Sequence, residues 1–190
     1  MTEFNGDLFA GGSPSIPGAG STLLARWNGI VWDDIGQAMG LTGRVSSMST
    51  FRGDLVIGGR FTGQPTATQH IGAWNGSTWR ALGAGVGTSS LDAVYSMTEF
   101  NNELVVGGQF LRSGAVSTPM VAAWNGTSWH GFGPLSGSAV LSIVKFGGEL
   151  FAAGNSVRPP GGVPGVVRWD GTAWRQVGGA FIGSINVLAT

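Results

Sequence analysis

The fold is decided by residues 45–82, which read VSSMSTFRGDLVIGGRFTGQPTATQHIGAWNGSTWRAL. Short runs rich in β-branched and apolar residues alternate here with turn-forming pairs. Arg52-Gly53 separates two such runs, and Asn75-Gly76 stands between two tryptophans. Because Gly and Asn accept the positive φ angles of tight hairpin turns, the stretch predicts two hairpins. The predicted strands are 45–51, 54–61, 70–74 and 78–82.

Both motifs of this stretch recur four times along the chain, with spacings of 47, 50 and 45 residues between successive Trp-Asn/Asp-Gly-x-x-Trp copies. The tryptophan pairs are Trp27 and Trp32, Trp74 and Trp79, Trp124 and Trp129, and Trp169 and Trp174. The second motif, Phe-x-x-Asp/Glu-Leu, starts at Phe4, Phe51, Phe100 and Phe146. It leads to the glycine pairs Gly11-Gly12, Gly58-Gly59 and Gly107-Gly108, and in the fourth copy to Ala153-Gly154.

Two motifs that share one period indicate a repeat protein. No sustained apolar period of 3.6 residues is present, so the predicted fold class is all-β. Four strands per repeat of about 47 residues predict the blades of a β-propeller in a single domain of residues 1–190. The predicted repeats are approximately 1–44, 45–93, 94–139 and 140–183, followed by a closing strand in residues 184–190.

The strand that ends in Gly58-Gly59, followed by Trp74, a turn and Trp79, resembles the kelch repeat. The repeats are most similar to the Trp-Asn-Gly-rich, kelch-like repeats of large bacterial surface proteins. The resemblance covers the whole chain and implies a β-propeller that serves as a scaffold or binding module, in an extracellular or cell-surface setting. The tryptophans at Trp27, Trp74, Trp124 and Trp169 stand where kelch units usually carry Tyr, and no catalytic residues are carried over.

Composition argues against several classes of function. The 10 Lys+Arg balance 10 Asp+Glu, so no overall basic field favours nucleic acid or an anionic membrane. The chain has no Cys, which excludes thiolate metal sites and Cys nucleophiles. No apolar run reaches the length of a membrane span, and residues 1–12 lack the pattern of a secretory signal.

Few residues are candidates for chemistry. Because the tryptophans recur in every repeat, we expect them to pack between blades rather than to form one ligand site. Four carboxylates, of Asp7, Asp54, Glu103 and Glu149, share one repeat position, and we expect hydrogen bonds near turns there rather than a metal site. His70 and His130 occupy unrelated repeat positions, so the sequence predicts no catalytic, cofactor-binding or metal-binding residues and no enzyme activity.

Variation between repeats is concentrated in the loops 13–22, 62–69, 111–119 and 155–164, which are rich in Gly, Ser, Thr and Pro. Variable loops on a constant scaffold are where binding function usually lies. The alternative function is therefore a lectin-like propeller that binds a glycan, or else a protein, on its loop rim.

The two ends of the chain have complementary patterns. Met1 aligns with Met48 in the middle of a first strand, and residues 185–190 align with residues 45–50 of the same strand. The predicted closing strand carries the apolar residues Ile185, Val187 and Leu188. Closure with a second copy gives an eight-bladed homodimer, which we favour, and closure within the chain gives a four-bladed monomer. This pattern also suggests an excised or engineered half-propeller.

Overall fold

The computed structural model of the chain describes residues 1–12, 15–16, 20–63 and 68–189. These residues form antiparallel β-sheets joined by turns and loops and contain no helix, so the chain is all-β, as predicted. Accordingly, no helix in this part of the chain could span a membrane. The arrangement is consistent with a β-propeller-like fold.

Each repeat supplies one four-stranded antiparallel sheet. The first sheet contains β1 (Thr2–Phe4), β2 (Asp7–Gly11), β5 (Leu24–Trp27) and β6 (Trp32–Asp34), and the short hairpin β3 (Ser15–Ile16) and β4 (Gly20–Ser21) is inserted in it. The second contains β7 (Thr42–Phe51), β8 (Asp54–Gly63), β9 (Thr68–Trp74) and β10 (Trp79–Ala81). The third contains β11 (Ala93–Phe100), β12 (Glu103–Gln109), β15 (Val121–Trp124) and β16 (Trp129–Gly131), with the inserted hairpin β13 (Arg112–Ser113) and β14 (Val116–Ser117). The fourth contains β17 (Ala139–Phe146), β18 (Glu149–Asn155), β19 (Val166–Trp169) and β20 (Trp174–Val177). Strand β7 begins at Thr42 rather than at the predicted Val45, because its pairing with β8 continues to Thr62.

The first two strands of every sheet are joined by a two-residue turn in which both central residues have positive φ, as a type I′ turn requires. The φ angles are 54° and 83° at Asn5-Gly6, 51° and 81° at Arg52-Gly53, 51° and 62° at Asn101-Asn102, and 57° and 81° at Gly147-Gly148. This turn fixes the register between the first and second strands of each sheet.

The outer hairpin of each sheet is set by the tryptophan motif. Its two tryptophans are direct cross-strand partners, as Trp74 and Trp79 are in β9 and β10. Between them the side-chain Oδ1 of Asn75 accepts hydrogen bonds from the backbone N–H groups two and three residues on, at 2.9 and 2.8 Å. Asp170 takes the same position in the fourth sheet; its pKa lies well below the usual range because it accepts hydrogen bonds from Arg175 and from two backbone amides. The Asn or Asp of the motif therefore closes a four-residue loop.

Three apolar cores lie between successive sheets. The first and second sheets share a core that includes Phe9 and Leu55, and the second and third share one that includes Val56 and Leu104. The third and fourth sheets are joined by a core that includes Val105 and Leu150. Among the described residues no such core joins the fourth sheet to the first.

The two glycines of each glycine pair are required for different reasons. A Cβ on Gly58, the first of its pair, would lie 2.7 Å from Val94 Cγ1 and 2.6 Å from Met97 Cε, which belong to the next sheet. A Cβ on Gly59 would instead meet the carbonyl oxygen of Arg44 in its own sheet, where β7 bulges against β8. The first glycine therefore allows neighbouring sheets to approach, and the second accommodates a bulge.

Candidate functional site

The outer face of the fourth sheet carries an apolar surface that the chain leaves open. Phe146 is 64% exposed, although its repeat counterparts Phe4, Phe51 and Phe100 are 6%, 5% and 7% exposed. Those three are buried because the following sheet packs over each of them. Phe146 instead lies with Val144, Phe151 and Leu188 around an open groove of about 180 Å³. The fourth sheet thus presents the face that the other sheets bury.

The opposite end of the chain presents the matching face. Leu8 of β2 corresponds to Leu55, Leu104 and Leu150, each of which is fully buried, whereas Leu8 is only partly buried. Trp32 is likewise partly buried, whereas its counterparts Trp79, Trp129 and Trp174 are 9%, 6% and 3% exposed. In each of the other sheets these positions pack against the preceding sheet. Within the described part of the chain, no sheet therefore packs over this face of the first sheet.

Residues 184–189, which we name the terminal segment, lie against the fourth sheet. Ser184 forms an isolated antiparallel bridge with Asn155, and the N–H of Leu188 donates a hydrogen bond of 3.0 Å to Ser142 Oγ. No strand is assigned within this segment. Ile185 and Leu188 are partly buried and Val187 is 74% exposed. The predicted closing residues are thus held beside the fourth sheet without forming a strand in it.

The contact of Leu188 repeats one made between the third and fourth sheets. There the N–H of Ile143 donates to Ser96 Oγ at 3.1 Å, and the Ser96 hydroxyl donates back to the Ile143 carbonyl at 3.3 Å. Ser96 and Ser142 have the same repeat position, since each pairs with the residue at the first position of the glycine pair in its own sheet. Leu188 therefore occupies the position relative to the fourth sheet that Ile143 occupies relative to the third.

One edge of the first sheet is short of partners. β1 pairs with β2 only from Asp7 to Phe9, so Ala10 and Gly11 have no β1 partner. In the second sheet the corresponding residues Ile57 and Gly58 pair with Met48 and Ser47 of β7. The inner edge of β2 beyond Phe9 is therefore open to another strand.

Residues of all four sheets line an open cavity of about 570 Å³. Its wall includes the bulge residues Ser46, Tyr95 and Leu141 of the second, third and fourth sheets, and Asn186 of the terminal segment. Arg44 and Arg60 also line it, together with the glycine pair of the first sheet. The first or second strand of each sheet thus contributes to the wall of one common cavity.

The four repeated carboxylates do not come together. Each instead pairs with a cationic or imidazole group of its own sheet: Asp7 with Arg26 at 3.8 Å, Asp54 with Arg80, Glu103 with His130 at 2.9 Å, and Glu149 with Arg168. In the second and third sheets the partner stands on the fourth strand, and the intervening third-strand position is the small Ala73 or Ala123. Among the described residues no group of three or more His, Asp or Glu is arranged to hold a metal ion.

His70 and His130 lie in different surroundings. His70 is 3% exposed, has a φ of 62°, and its Nε2 lies 3.0 Å from the carbonyl oxygen of Ser89. Because a carbonyl only accepts, Nε2 carries the proton, and the buried Nδ1 has no hydrogen-bond partner among the described residues. Burial lowers the pKa of His70. No serine hydroxyl of the described residues contacts either imidazole, and sequence reasoning gave no signal that His70 is buried.

The remaining predictions concern the other tryptophans of the motif, the variable loops and the end of the predicted closing strand. Trp124 is buried at 5% exposure, and Trp27, Trp74 and Trp169 are partly buried. The loop-rim hypothesis falls partly outside the described residues, which lack 13–14, 17–19 and 64–67, and Thr190 of the predicted closing strand also lies outside them.

Comparison with known proteins gives no relative: no family model matches the chain, and no match is found among curated proteins.

Proposed function

We propose that the chain is a non-enzymatic, kelch-like β-propeller module that associates with a second copy of itself to complete a closed ring. The observation that carries the proposal is Phe146, which is 64% exposed although its counterparts Phe4, Phe51 and Phe100 are buried under a following sheet. In this arrangement the first sheet of the partner covers the fourth sheet of one protomer, and the reciprocal contact closes an eight-bladed ring by a two-fold axis.

The two open faces are chemically matched. The ring centroids of Phe146 and Phe151 lie 6.2 Å apart, close to the 5.9 Å between the corresponding Phe4 and Phe9, and both rings would contact Leu8 and Trp32 of the other copy. Such contacts are the ones by which Phe100 and Val105 meet Leu150 and Trp174 within the chain. The interface would thus repeat an existing sheet-to-sheet core, which is apolar and needs no new type of contact.

The terminal segment supplies the inner strand at this junction. The hydrogen bond from the Leu188 N–H to Ser142 is the counterpart of the one by which Ile143, in the first strand of the fourth sheet, contacts the third sheet. By correspondence with Met48 and Ile57 of the second sheet, Leu188 would pair with Ala10 of the other copy. Pairing would satisfy the open edge of β2, which otherwise templates uncontrolled strand association.

The register gives a direct test, because the chain has no Cys of its own. The double variant Ala10→Cys/Leu188→Cys should form a disulfide in air, since directly opposed residues of an antiparallel pair lie about 4.5–5.5 Å apart and a disulfide spans about that distance. We expect a covalent dimer on non-reducing gels, and each single-Cys variant serves as the matched control. A disulfide-linked monomer would instead favour the four-bladed ring, and failure of the double variant to cross-link beyond its controls would refute the strand pairing.

A further inference from the structure

The cavity between the four sheets carries an unbalanced positive charge. Arg44 of β7 and Arg60 of β8 are direct cross-strand partners, and both line the cavity. Both side chains are exposed, and neither makes an ion pair or side-chain hydrogen bond with the described residues. Like charges directly opposed across a strand pair are destabilising. The second sheet therefore keeps two arginines together at a cost in stability.

The absence of an ion pair distinguishes these two arginines from those on the third and fourth strands of the four-stranded sheets. Arg26, Arg80 and Arg168 each contact a carboxylate of their own sheet. Among the residues that the structure describes, no Asp or Glu lines the cavity. In a chain of zero net charge, this places an uncompensated positive potential in one concave space.

The rest of the wall is polar but neutral. Ser46 and Tyr95 bring hydroxyl groups, Asn186 brings an amide, and the first sheet brings glycines, where backbone is accessible. Hydroxyls and amides can both donate and accept hydrogen bonds, which suits the hydroxyl groups of a ligand. The cavity volume of about 570 Å³ is that of a site for a small organic molecule and is far larger than a bare ion needs.

We infer that this cavity binds a small hydroxylated carboxylate, with the carboxylate on Arg44 and Arg60 and the hydroxyl groups on the neutral polar wall. The guanidinium groups match the planar carboxylate with paired, charge-assisted hydrogen bonds. Binding would also relieve the repulsion between the two arginines, so ligand and fold stabilise each other. The carboxylate contacts, Arg44 and Arg60, belong to the second sheet of one chain, whereas Gly11 and Asn186 of the same wall lie at the proposed junction with a second copy.

Calorimetric titration at low ionic strength tests the inference with D-glucuronate, D-glucose and acetate as probes. D-Glucuronate should bind most tightly, because glucose lacks the carboxylate and acetate lacks the hydroxyl groups. Arg44→Gln and Arg60→Gln should each weaken glucuronate binding about tenfold, the effect of removing one charge-assisted hydrogen bond. Arg112→Gln, which changes an exposed arginine outside the cavity wall, should leave it unchanged.

A thermal melt of the same variants checks that they fold, and we expect Arg44→Gln and Arg60→Gln to melt no lower than the unmodified chain because each removes a like-charge contact. Binding of glucose as tight as that of glucuronate would overturn the inference. So would an equal loss of binding in Arg112→Gln, or no binding of glucuronate by the folded chain. The dimer mass is measured independently, so failure of this site is distinguishable from failure of the ring.

Discussion

Replacement of Trp129 by Ala tests how strongly the repeated tryptophans hold neighbouring sheets together. The indole is 6% exposed, its ring centroid lies 5.3 Å from that of Trp124, and its Nε1–H donates a 2.7 Å hydrogen bond to the carbonyl of Leu82, which directly follows the last strand of the second sheet. Truncation of a buried aromatic side chain costs about 3–5 kcal/mol, and a carbonyl left without its donor adds about 1–3 kcal/mol. Because the two contributions overlap, we expect a loss of about 4–6 kcal/mol in the free energy of unfolding.

Urea unfolding followed by far-ultraviolet circular dichroism measures this loss without relying on tryptophan emission. Trp129→Phe separates the two contributions, because it keeps an aromatic ring but removes the donor, and should cost about 1–3 kcal/mol. Leu111→Ala is the control; it truncates a side chain that is 72% exposed and belongs to none of the three cores, so it should leave the free energy of unfolding almost unchanged. A Trp129→Ala chain that unfolds at the same urea concentration as the unmodified chain would refute the role assigned to this tryptophan.

Three further changes test other parts of the structure. Gly107→Ala places a Cβ 2.6 Å from Val140 Cγ1 and should lower the free energy of unfolding by about 1–3 kcal/mol in urea titration; a neutral result would contradict the close approach of the third and fourth sheets. Burial lowers the pKa of His70, so the unfolded chain binds the proton more readily and the free energy of unfolding should fall as pH drops below about 6.5. In His70→Asn, whose new side chain tolerates the positive φ at this position, urea unfolding should depend less on pH. An unchanged pH dependence would assign the effect to other groups. Phe146→Ser should shift the mass measured by light scattering from dimer to monomer, whereas Leu111→Ser, at a site of 72% exposure outside the fourth sheet, should leave it unchanged; dimers in both variants would contradict the proposed interface.

Local chemistry was enough to predict the hairpins. Asn and Gly at positions 5–6, and Arg52-Gly53, indicated two-residue turns, and the structure has positive φ at all of these residues. The number of strands per repeat followed from the spacing of the same motifs. These features depend on residues close together in the chain, so a single sequence contains the information.

Features that depend on contacts between repeats could not be derived in this way. Position 58 must be glycine because the side chains of Val94 and Met97 in the next sheet lie too close for a Cβ. No pattern of residues near position 58 specifies that contact. The hydrogen bond between His70 and the carbonyl of Ser89 joins residues nineteen positions apart in one repeat, which no local pattern specifies either. Phe146 carries the same motif as Phe100, yet it is 64% exposed and Phe100 is 7% exposed, because the fourth sheet packs over Phe100.

The mass of the unmodified chain in solution tests the central proposal most directly. Light scattering coupled to size-exclusion chromatography, over a dilution series, should give about 39 kDa, twice the 19.5 kDa of one chain. This result is expected because the exposed face of the fourth sheet and the open edge of β2 each require a partner. A mass of 19.5 kDa that persists at the highest concentration would contradict the proposal that two copies complete the ring.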